Sequence, residues 1–308
     1  MEQDKKQRHV VSVSIGDSER DHCVETEFLG IPFKVERIGT DGDIGKAIEI
    51  IKELDGKVDA LGLGGTDLYV YVGSRRYTLR SSLPLVRAAT KTPFFDGSTL
   101  KLSIEKEMIH QLAEEGVHLN KQSRVLLVSS VDRFGMAESF SACGCETIYG
   151  DFMFTLNLNI PVRTIGGLKI LAGIIAPIAT QLPIEMLYPT GDKQKQRTPK
   201  WVKYYQWATI VAGDFHMLHK YMPDDMKGKT IITNTTTARD VEELKSLGAA
   251  TLITTTPELG GRSFGTNVME GVYAVILGKT RENPPSVEDF RGLLKKMNLK
   301  PRVSKLND

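Results

Sequence analysis

Short runs of β-branched residues alternate along this chain with stretches in which apolar residues recur every three or four positions. The runs at residues 9–16 and 31–39 predict buried strands, and residues 44–54, with apolar side chains on one face, predict an amphipathic helix. Strands that alternate with helices in this way are typical of α/β proteins with a mainly parallel sheet.

The order of the elements divides the chain into two lobes. In the first lobe a hairpin turns at Gly73 and Ser74, and a strand at residues 93–95 follows it. A long helix at residues 99–115 then leads to the uninterrupted apolar run at residues 124–130, which is typical of a central parallel strand. We therefore expect the boundary between the lobes at this helix.

The second lobe continues the alternation. Its predicted elements are a helix at residues 134–142, a strand at 146–150, an apolar helix at 168–179, strands at 208–211, 230–233 and 251–254, and a helix at 267–277. We predict an α/β fold of two lobes: a smaller N-terminal α/β lobe, residues 1–115, on the substrate side, and a Rossmann-like doubly wound parallel sheet, residues 116–282. A charged helix or tail, residues 283–308, follows.

One apolar stretch and the N-terminal segment bear on the relation to membranes. Residues 170–184 are uncharged, but they are interrupted by Pro177 and Pro183 and are shorter than the roughly 20 residues needed to cross a bilayer. We interpret them as a buried helix. The N-terminus has no apolar segment with a cleavage site, so we expect no secretory leader.

Composition narrows the function classes. The 308 residues have a formal net charge of +2, which is too balanced for a general nucleic-acid binder. Three cysteines cannot cross-link a chain of this length, which favours a reducing compartment and predicts a cytoplasmic protein. We expect a small-molecule substrate as partner, with no nucleic acid and no membrane, and the sequence is compatible with a homodimer.

The segment at residues 124–151 is the first candidate ligand site. It runs strand, turn, helix, strand, and Asp151 ends the second strand where a Rossmann unit holds an adenosine ribose. The turn has serines and an aspartate in place of a glycine-rich motif, but Arg133 and the helix N-terminus could bind a phosphate directly. The residues singled out are Ser129, Ser130, Arg133, Gly135 and Asp151. A purely structural strand–helix–strand unit remains the alternative.

Polar residues also cluster where other strands end. They are Ser12, Ser14, Asp67, Asp96, Asn234, Thr235 and Thr236. Because parallel strands present their carboxyl ends at one edge, these residues predict a cleft between the lobes that suits a polyol, carboxylate or phosphate. Ser14 and Asp96 are expected to face Asn234 and Asn267 across it. The alternative is that such residues only cap the helices that follow.

The sequence gives little support for a metal site or for the active site of a serine hydrolase. His216 and His219 lie three residues apart, but no third ligand has a convincing spacing, so we predict no metal site. No serine stands in a nucleophile-elbow motif.

The order of parts resembles the shikimate/quinate dehydrogenase family, in particular bacterial proteins labelled quinate 5-dehydrogenase. The paired Ser12 and Ser14, the Asp96-Gly97 pair before the long helix, and Asn234-Thr235-Thr236 are similar to family motifs. The segment GRSFGTNVME is similar to the family's glycine-rich substrate segment, with Glu270 where a Gln would stand.

This resemblance implies an NAD(P)-linked oxidoreductase acting on a small hydroxylated cyclic acid like quinate or shikimate, with NAD or NADP as cofactor. It implies a catalytic Asp96 with Lys101 or Lys91. The implied substrate-binding residues are Ser12, Ser14, Asp67, Asn267 and Glu270. The implied cofactor-binding residues are Ser129, Ser130, Arg133, Gly135, Asp151, Asn234, Thr235 and Thr236.

The chain departs from the family at two motifs. The glycine-rich cofactor turn is replaced by SSVDRFG, and the family's usual lysine in the first lobe is absent. The open alternative is a non-redox Rossmann-like ligand-binding or group-transfer protein for S-adenosylmethionine or a phosphorylated metabolite.

Overall fold

The structure is a computed structural model that describes residues 6–73, 75–184, 197–259 and 262–308. It has two lobes, and each is built on a largely parallel sheet flanked by helices. The strands are β1 (Arg8–Ser14), β2 (His22–Phe28), β3 (Ile31–Gly39), β4 (Ala60–Gly64), β5 (Tyr69–Val72), β6 (Arg75–Thr78), β7 (Phe94–Phe95), β8 (Arg124–Leu127), β9 (Glu146–Tyr149), β10 (Ile210–Ala212), β11 (Thr230–Thr233), β12 (Thr251–Thr254), β13 (Glu258–Leu259), β14 (Arg262–Ser263) and β15 (Arg302–Lys305).

The α-helices of the described residues alternate with these strands. They are α1 (Ile44–Leu54), α2 (Leu83–Arg87), α3 (Ser98–Gln111), α4 (Phe134–Ala142), α5 (Asp151–Phe154), α6 (Ile165–Ala179), α7 (Val202–Trp207), α8 (Phe215–Tyr221), α9 (Ala238–Ser246), α10 (Thr266–Ile276) and α11 (Val287–Lys296). Among the described residues, none of these helices has the length and apolar character needed to span a membrane.

The first sheet has the order β2-β3-β1-β4-β7, with β2 antiparallel at one edge. β1 lies in the middle and is buried from Val10 to Ser14, which explains its nearly continuous apolar run. The sequence analysis missed β2, because this edge strand alternates exposed and half-buried residues and has three charged or histidine side chains among its seven.

The second sheet has the order β15-β12-β11-β10-β8-β9. Its five parallel strands follow the flavodoxin-like order 2-1-3-4-5 rather than the 3-2-1-4-5-6 order of Rossmann dinucleotide folds. The two-lobed α/β architecture is confirmed, and the Rossmann-like prediction is not. Within the predicted tail, β15 pairs antiparallel with β12 and forms one edge of the sheet.

Two helices downstream of the second sheet return to the first. Val268, Val272 and Tyr273 of α10 join Leu293 and other residues of α11 in the hydrophobic core beneath the first sheet. Residues 266–296 therefore pack on the N-terminal lobe, although the predicted boundaries at 115 and 282 assign them elsewhere. Periodicity identifies the apolar face of a helix but not the sheet that covers it.

The predicted hairpin is present as β5 and β6, which pair from Tyr69 with Thr78 to Val72 with Arg75. Ser74 at its turn lies outside the described residues. Helix starts are fixed by caps that the sequence makes recognisable: Thr237 and Ser286 each form a capping box, with Asp240 and Asp289 respectively.

Candidate functional site

A cleft of about 500 Å³ lies between the lobes. Its polar walls come from loops after β1 and β4 in the first sheet and after β8 and β10 in the second. These are the points at which the strand order of each sheet reverses, and ligands of open α/β sheets bind there. The volume is in the range of small-molecule pockets.

The cleft brings together most of the predicted site residues. Those that line it are Ser12, Ser14, Asp67, Asp96, Lys101, Ser129, Arg133, Asp151, Asn234, Thr235 and Asn267. Those that do not are Lys91, Ser130, Gly135, Thr236 and Glu270.

The first lobe supplies paired hydroxyls. Asn267 Nδ2 donates to Ser12 Oγ at 2.5 Å, and Arg37 Nη2 donates to Ser14 Oγ at 3.0 Å. Gly64 allows this packing, since a Cβ at that position would lie 2.7 Å from Ser14 Cβ. Asn267 was expected in the second lobe, but its helix α10 packs on the first.

Lys101 joins two carboxylates across the cleft. Its Nζ lies 2.6 Å from Asp67 Oδ1 in its own lobe and 2.7 Å from Asp132 Oδ1 in the other. Burial and the neighbouring Asp132 raise the pKa of Asp67 to about 7. Burial acts in the same direction on Asp132, but Lys101 and Arg133 outweigh it and lower the pKa of Asp132. Asp67 is therefore the carboxyl group of this pair that takes up a proton first as the pH falls.

Arg133 makes a second charge cluster and is not available to a phosphate. Its Nη1 donates to Glu105 Oε1 at 2.6 Å, its Nη2 donates to Asp214 Oδ2 at 3.0 Å, and its Nε lies 3.1 Å from Asp132 Oδ2. The Arg133 side chain is 2% exposed and that of Glu105 is 0% exposed. Glu105 belongs to α3, so this cluster also joins the lobes.

The carboxylate of Asp151 accepts hydrogen bonds from backbone N–H groups of its own lobe. Its Oδ2 accepts from the Ser130 N–H at 3.1 Å and its Oδ1 from the Val131 N–H at 2.9 Å, so it holds the turn after β8 in place. Burial outweighs these hydrogen bonds and raises its pKa to about 6. Gly135 lets α4 approach α3, because a Cβ there would meet Lys101 O at 3.3 Å.

Two of the predicted catalytic residues, Asp96 and Lys91, have structural positions. Asp96 is held by hydrogen bonds, and Lys91 lies away from the cleft. Asp96 Oδ2 accepts from the Leu68 and Tyr69 N–H groups at 2.8 Å, and its Oδ1 accepts from Ser98 Oγ at 2.7 Å. Lys91 is exposed, next to Asp55, and precedes β7 at the sheet edge opposite the cleft.

Glu270 is buried behind the cleft rather than lining it. Leu100 N donates to its Oε2 at 3.2 Å, so it caps the start of α3. Burial and the neighbouring Asp96 raise its pKa to about 8. Thr236 is likewise structural, since its N–H donates to Ser263 Oγ.

One wall of the cleft is apolar and comes from α6. Leu168, Leu171, Ala172, Ile175 and Ala176 of this helix line the cleft opposite the polar strand ends. The helix reaches the first lobe at its end, where Arg80 N donates to Thr180 O at 3.0 Å. A ligand would therefore meet hydrogen-bonding groups on one side and aliphatic side chains on the other.

Sequence reasoning missed several lining residues. Arg20 and Arg37 contribute guanidinium groups, and His216 contributes an imidazole whose pKa is lowered to about 4 by burial and by Arg20. The signal for Arg37 was its place near the end of the second predicted strand. His216 was considered only as a metal ligand. Among the described residues no set of three or more His, Cys, Asp or Glu side chains is arranged to hold a metal ion.

Two family models match the two parts of the chain. Residues 9–96 match Domain of unknown function (DUF8753), and residues 99–306 match Domain of unknown function (DUF8754). The chain belongs to the DUF8754 family. A search of curated proteins finds no match to this DUF8754 protein.

Solved structures similar to the DUF8754 protein include sugar-binding proteins. An ABC transporter solute-binding protein from Agrobacterium vitis with bound allitol has a TM-score of 0.39 at 11% identity, covering 98% of this chain and 97% of that one. A carbohydrate transporter solute-binding protein from Agrobacterium radiobacter in complex with D-arabinose has a TM-score of 0.39 at 13% identity, covering 97% of this chain and 95% of that one. A glucose-galactose binding protein from Geobacillus stearothermophilus has a TM-score of 0.38 at 11% identity, covering 99% of both chains. We infer no ligand from matches with such low scores.

The predicted membership of the shikimate/quinate dehydrogenase family was therefore wrong. The family models that match the chain are those of DUF8753 and DUF8754. The prediction of an NAD(P)-linked oxidoreductase was wrong as well. Its alternative, a binder of S-adenosylmethionine or a phosphorylated metabolite, is not supported either. The geometry agrees, because Asp151 and Arg133 bind parts of the chain itself.

Proposed function

We propose that this DUF8754 protein binds a small, neutral, polyhydroxylated molecule, such as a sugar or polyol, in the cleft between its lobes. The observation that carries the proposal is the pairing of charges. Among the described residues, each charged side chain that lines the cleft has an ion-pair or hydrogen-bond partner within the protein, so none of them is free to bind an ionic ligand.

The pairing extends to the guanidinium groups at the first lobe. Arg37 Nη1 lies 2.7 Å from Asp21 Oδ1, and Arg20 Nη1 lies 3.6 Å from Asp240 Oδ2 in the other lobe. A ligand phosphate or carboxylate would have to compete with these carboxylates for the guanidinium groups. The pairs of Arg133 are buried, and removing the partner of a buried charge costs about 3 to 5 kcal/mol, which also disfavours such a ligand.

Hydroxyl groups suit the remaining polar atoms. Ser12, Ser14, Asn234 and Asn267 offer donors and acceptors side by side, and a hydroxyl group can both donate and accept. The neutral imidazole of His216 adds another such group. The aliphatic wall of α6 would cover the C–H surface of a ring or chain.

Thermal unfolding in the presence of ligands tests the proposal. The panel contains alditols, pentoses and hexoses, with aldonic acids and sugar phosphates as their charged counterparts. A molecule that binds only the folded state raises the melting temperature with its concentration. We expect neutral members to raise it and their charged counterparts to do so less. The panel includes NAD and NADP, whose binding stays a prediction.

A pair of variants assigns any stabilisation to the cleft. Asn234→Ala removes an amide that lines the cleft, and Gln122→Ala removes an exposed amide from the turn before β8, at the opposite edge of the sheet. We expect only Asn234→Ala to weaken ligand binding. Stabilisation by charged ligands alone, or by no ligand in the panel, would contradict the proposal. The cytoplasmic location and the homodimer stay predictions.

A further inference from the structure

The apolar wall of the cleft is longer than a sugar ring. The half-buried Leu171, Ile175 and Ala179 of α6 line the cleft at steps of four residues, so they form one stripe along the helix. At a rise of about 1.5 Å per residue the stripe is about 12 Å long, or roughly two helical turns, whereas a sugar ring is about as wide as one turn. Leu182 also lines the cleft and lengthens the wall beyond the helix. One sugar ring would therefore leave part of this wall uncovered.

The α6 side chains that line the cleft have no polar atoms. From Leu168 to Ala179 all of them are aliphatic. The hydroxyl of Thr180, just after the helix, donates to Ala176 O at 2.7 Å and accepts from Gln181 Nε2 at 3.4 Å. A ligand hydroxyl against this wall would lose its hydrogen bonds to water without replacement, which is unfavourable. We therefore expect C–H groups of the ligand, and not its hydroxyl groups, along α6.

Apolar side chains of other elements line the same cleft. Val70 of β5, Phe152 of α5 and Met217 of α8 are among them, and each is half-buried. Covering such surface with a ligand is favourable in proportion to the apolar area removed from water. The cavity volume of about 500 Å³ lies in the range of pockets that hold drug-sized molecules, which are larger than one sugar.

The polar groups of the cleft lie elsewhere, at strand ends and helix starts. Ser14 ends β1, Asn234 follows β11, and His216 lies in the first turn of α8. Among the described residues, no group donates to or accepts from the ring nitrogens of His216, so the imidazole is available to a ligand hydroxyl. A wholly apolar ligand would cover these groups without hydrogen bonding to them. A molecule that suits both parts of the cleft has a polar and an apolar part.

We propose that the cleft binds an amphiphilic molecule such as an alkyl or aryl glycoside, with its hydroxyl groups at the strand ends and its apolar tail along α6. This rests on the proposed function, because it takes the hydroxyl groups to bind at the strand ends, and it adds the chemical class of the molecule. An oligosaccharide is disfavoured, since its further rings would place hydroxyl groups against α6.

Isothermal titration calorimetry with a homologous series of glycosides tests for the tail. The probes are the methyl, butyl and hexyl β-glycosides of glucose, galactose and arabinose, below their critical micelle concentrations, with the free sugars as references. A buried methylene contributes about 0.8 kcal/mol, which corresponds to about a fourfold change in affinity. We expect the dissociation constant to fall by about twofold to fourfold for each methylene added from methyl to hexyl.

Paired variants at adjacent residues of α6 locate the tail. Ile175→Gln and Leu171→Gln place a polar group on the stripe that lines the cleft. Ile174→Gln and Ile170→Gln place the same group on another face of the helix, where these side chains are 63% and 70% exposed. We expect each cleft variant to weaken binding of the hexyl glycosides about tenfold and of the free sugars less than about twofold. The two exposed variants should bind both as the parent protein does, and circular dichroism checks that every variant is folded.

A variant at the strand ends locates the polar part of the molecule. Asn234→Ala removes an amide that lines the cleft, so it should weaken the free sugars and their hexyl glycosides by the same factor. Hexyl glycosides that bind to this variant as tightly as to the parent protein would contradict both the inference and the proposed function.

Other outcomes separate the inference from the proposed function. If the free sugars bind but longer alkyl chains add no affinity, the inference is wrong and the proposed function stands. The same holds if the added affinity persists in both cleft variants, or if Ile174→Gln or Ile170→Gln removes it, because the tail then lies away from the cleft. If none of these sugars and glycosides binds, the inference is wrong, and the thermal-unfolding panel decides the proposed function.

Discussion

Asp67 and Asp132 share the single ammonium of Lys101, so two carboxylates of the cleft compete for one buried cation. The nearby charged groups are Asp96 after β7 and Arg133 after β8, of which Arg133 is committed to Glu105 and Asp214. Asp67 is the carboxyl group that takes up a proton as a result. Its pKa near 7 lies far above its ordinary value of 3.8.

Asp67 should therefore make stability depend on pH. Below its ordinary pKa both the folded and unfolded states hold the proton, whereas between about pH 4 and pH 7 only the folded state holds it. The free energy of unfolding should fall as pH rises through this window, by at most about 1.4 kcal/mol per pH unit from this group. Asp67→Asn removes the titration, so its stability relative to the parent protein should increase with pH in urea denaturation.

The control for this experiment is Glu288→Gln, which removes an exposed carboxylate on α11. Its stability relative to the parent protein should not change with pH across the window. If Asp67→Asn behaves in the same way as this control, the proton is not held at Asp67.

At the scale of elements, α3 and α10 pack closely against each other beside the cleft. Gly97 precedes α3 with φ of 87°, and a Cβ on it would lie 2.6 Å from Asn267 N at the start of α10. Asn267 in turn holds Ser12. A side chain at position 97 would therefore displace the α10 residue that forms part of the cleft.

Gly97→Ala tests this packing, and Gly116→Ala is its matched control. Both glycines have positive φ, at 87° and 81°, but a Cβ on Gly116 would meet no atom within 4 Å. We expect Gly116→Ala to cost about 1 to 2 kcal/mol of backbone strain. Gly97→Ala should cost about 1 to 3 kcal/mol more from overpacking, measured by urea denaturation. Equal losses of stability in the two variants would show that Asn267 moves away from the added Cβ without a measurable cost.

The local sequence predicts the bounds of some elements accurately, but it does not predict the contacts between elements. The predicted bounds of β11, β12 and α4 equal the observed ones, because caps, glycines and apolar runs mark them locally. The cleft at strand ends followed from the alternation of strands and helices. The partners within it did not, since Arg133 meets Glu105 and Asp214 over separations of 28 and 81 residues. Only the folded arrangement showed that the carboxylate of Asp151 is already bound.

At the scale of the whole molecule, α3 belongs to both lobes. Leu100, Ile104 and Met108 pack in the core under the first sheet, whereas Ile109 and Leu112 at the other end pack in the core of the second. The chain also returns to the first lobe at α10 and comes back to the second at β15. Separating the lobes would therefore disrupt a shared helix as well as the buried pairs of Lys101 and Arg133.

We accordingly expect the lobes to unfold together. Trp201 and Trp207 are the two tryptophans of the chain, and both pack against the core of the second lobe, so fluorescence reports on that lobe while far-ultraviolet circular dichroism reports on both. The two signals should follow one transition in urea, as expected for a cooperative unit. Glu105→Gln weakens the tie between α3 and Arg133 and should lower the midpoint of both signals equally. If the fluorescence transition were complete while half of the dichroism signal remained, the lobes would unfold independently. In that case α3 would not couple them.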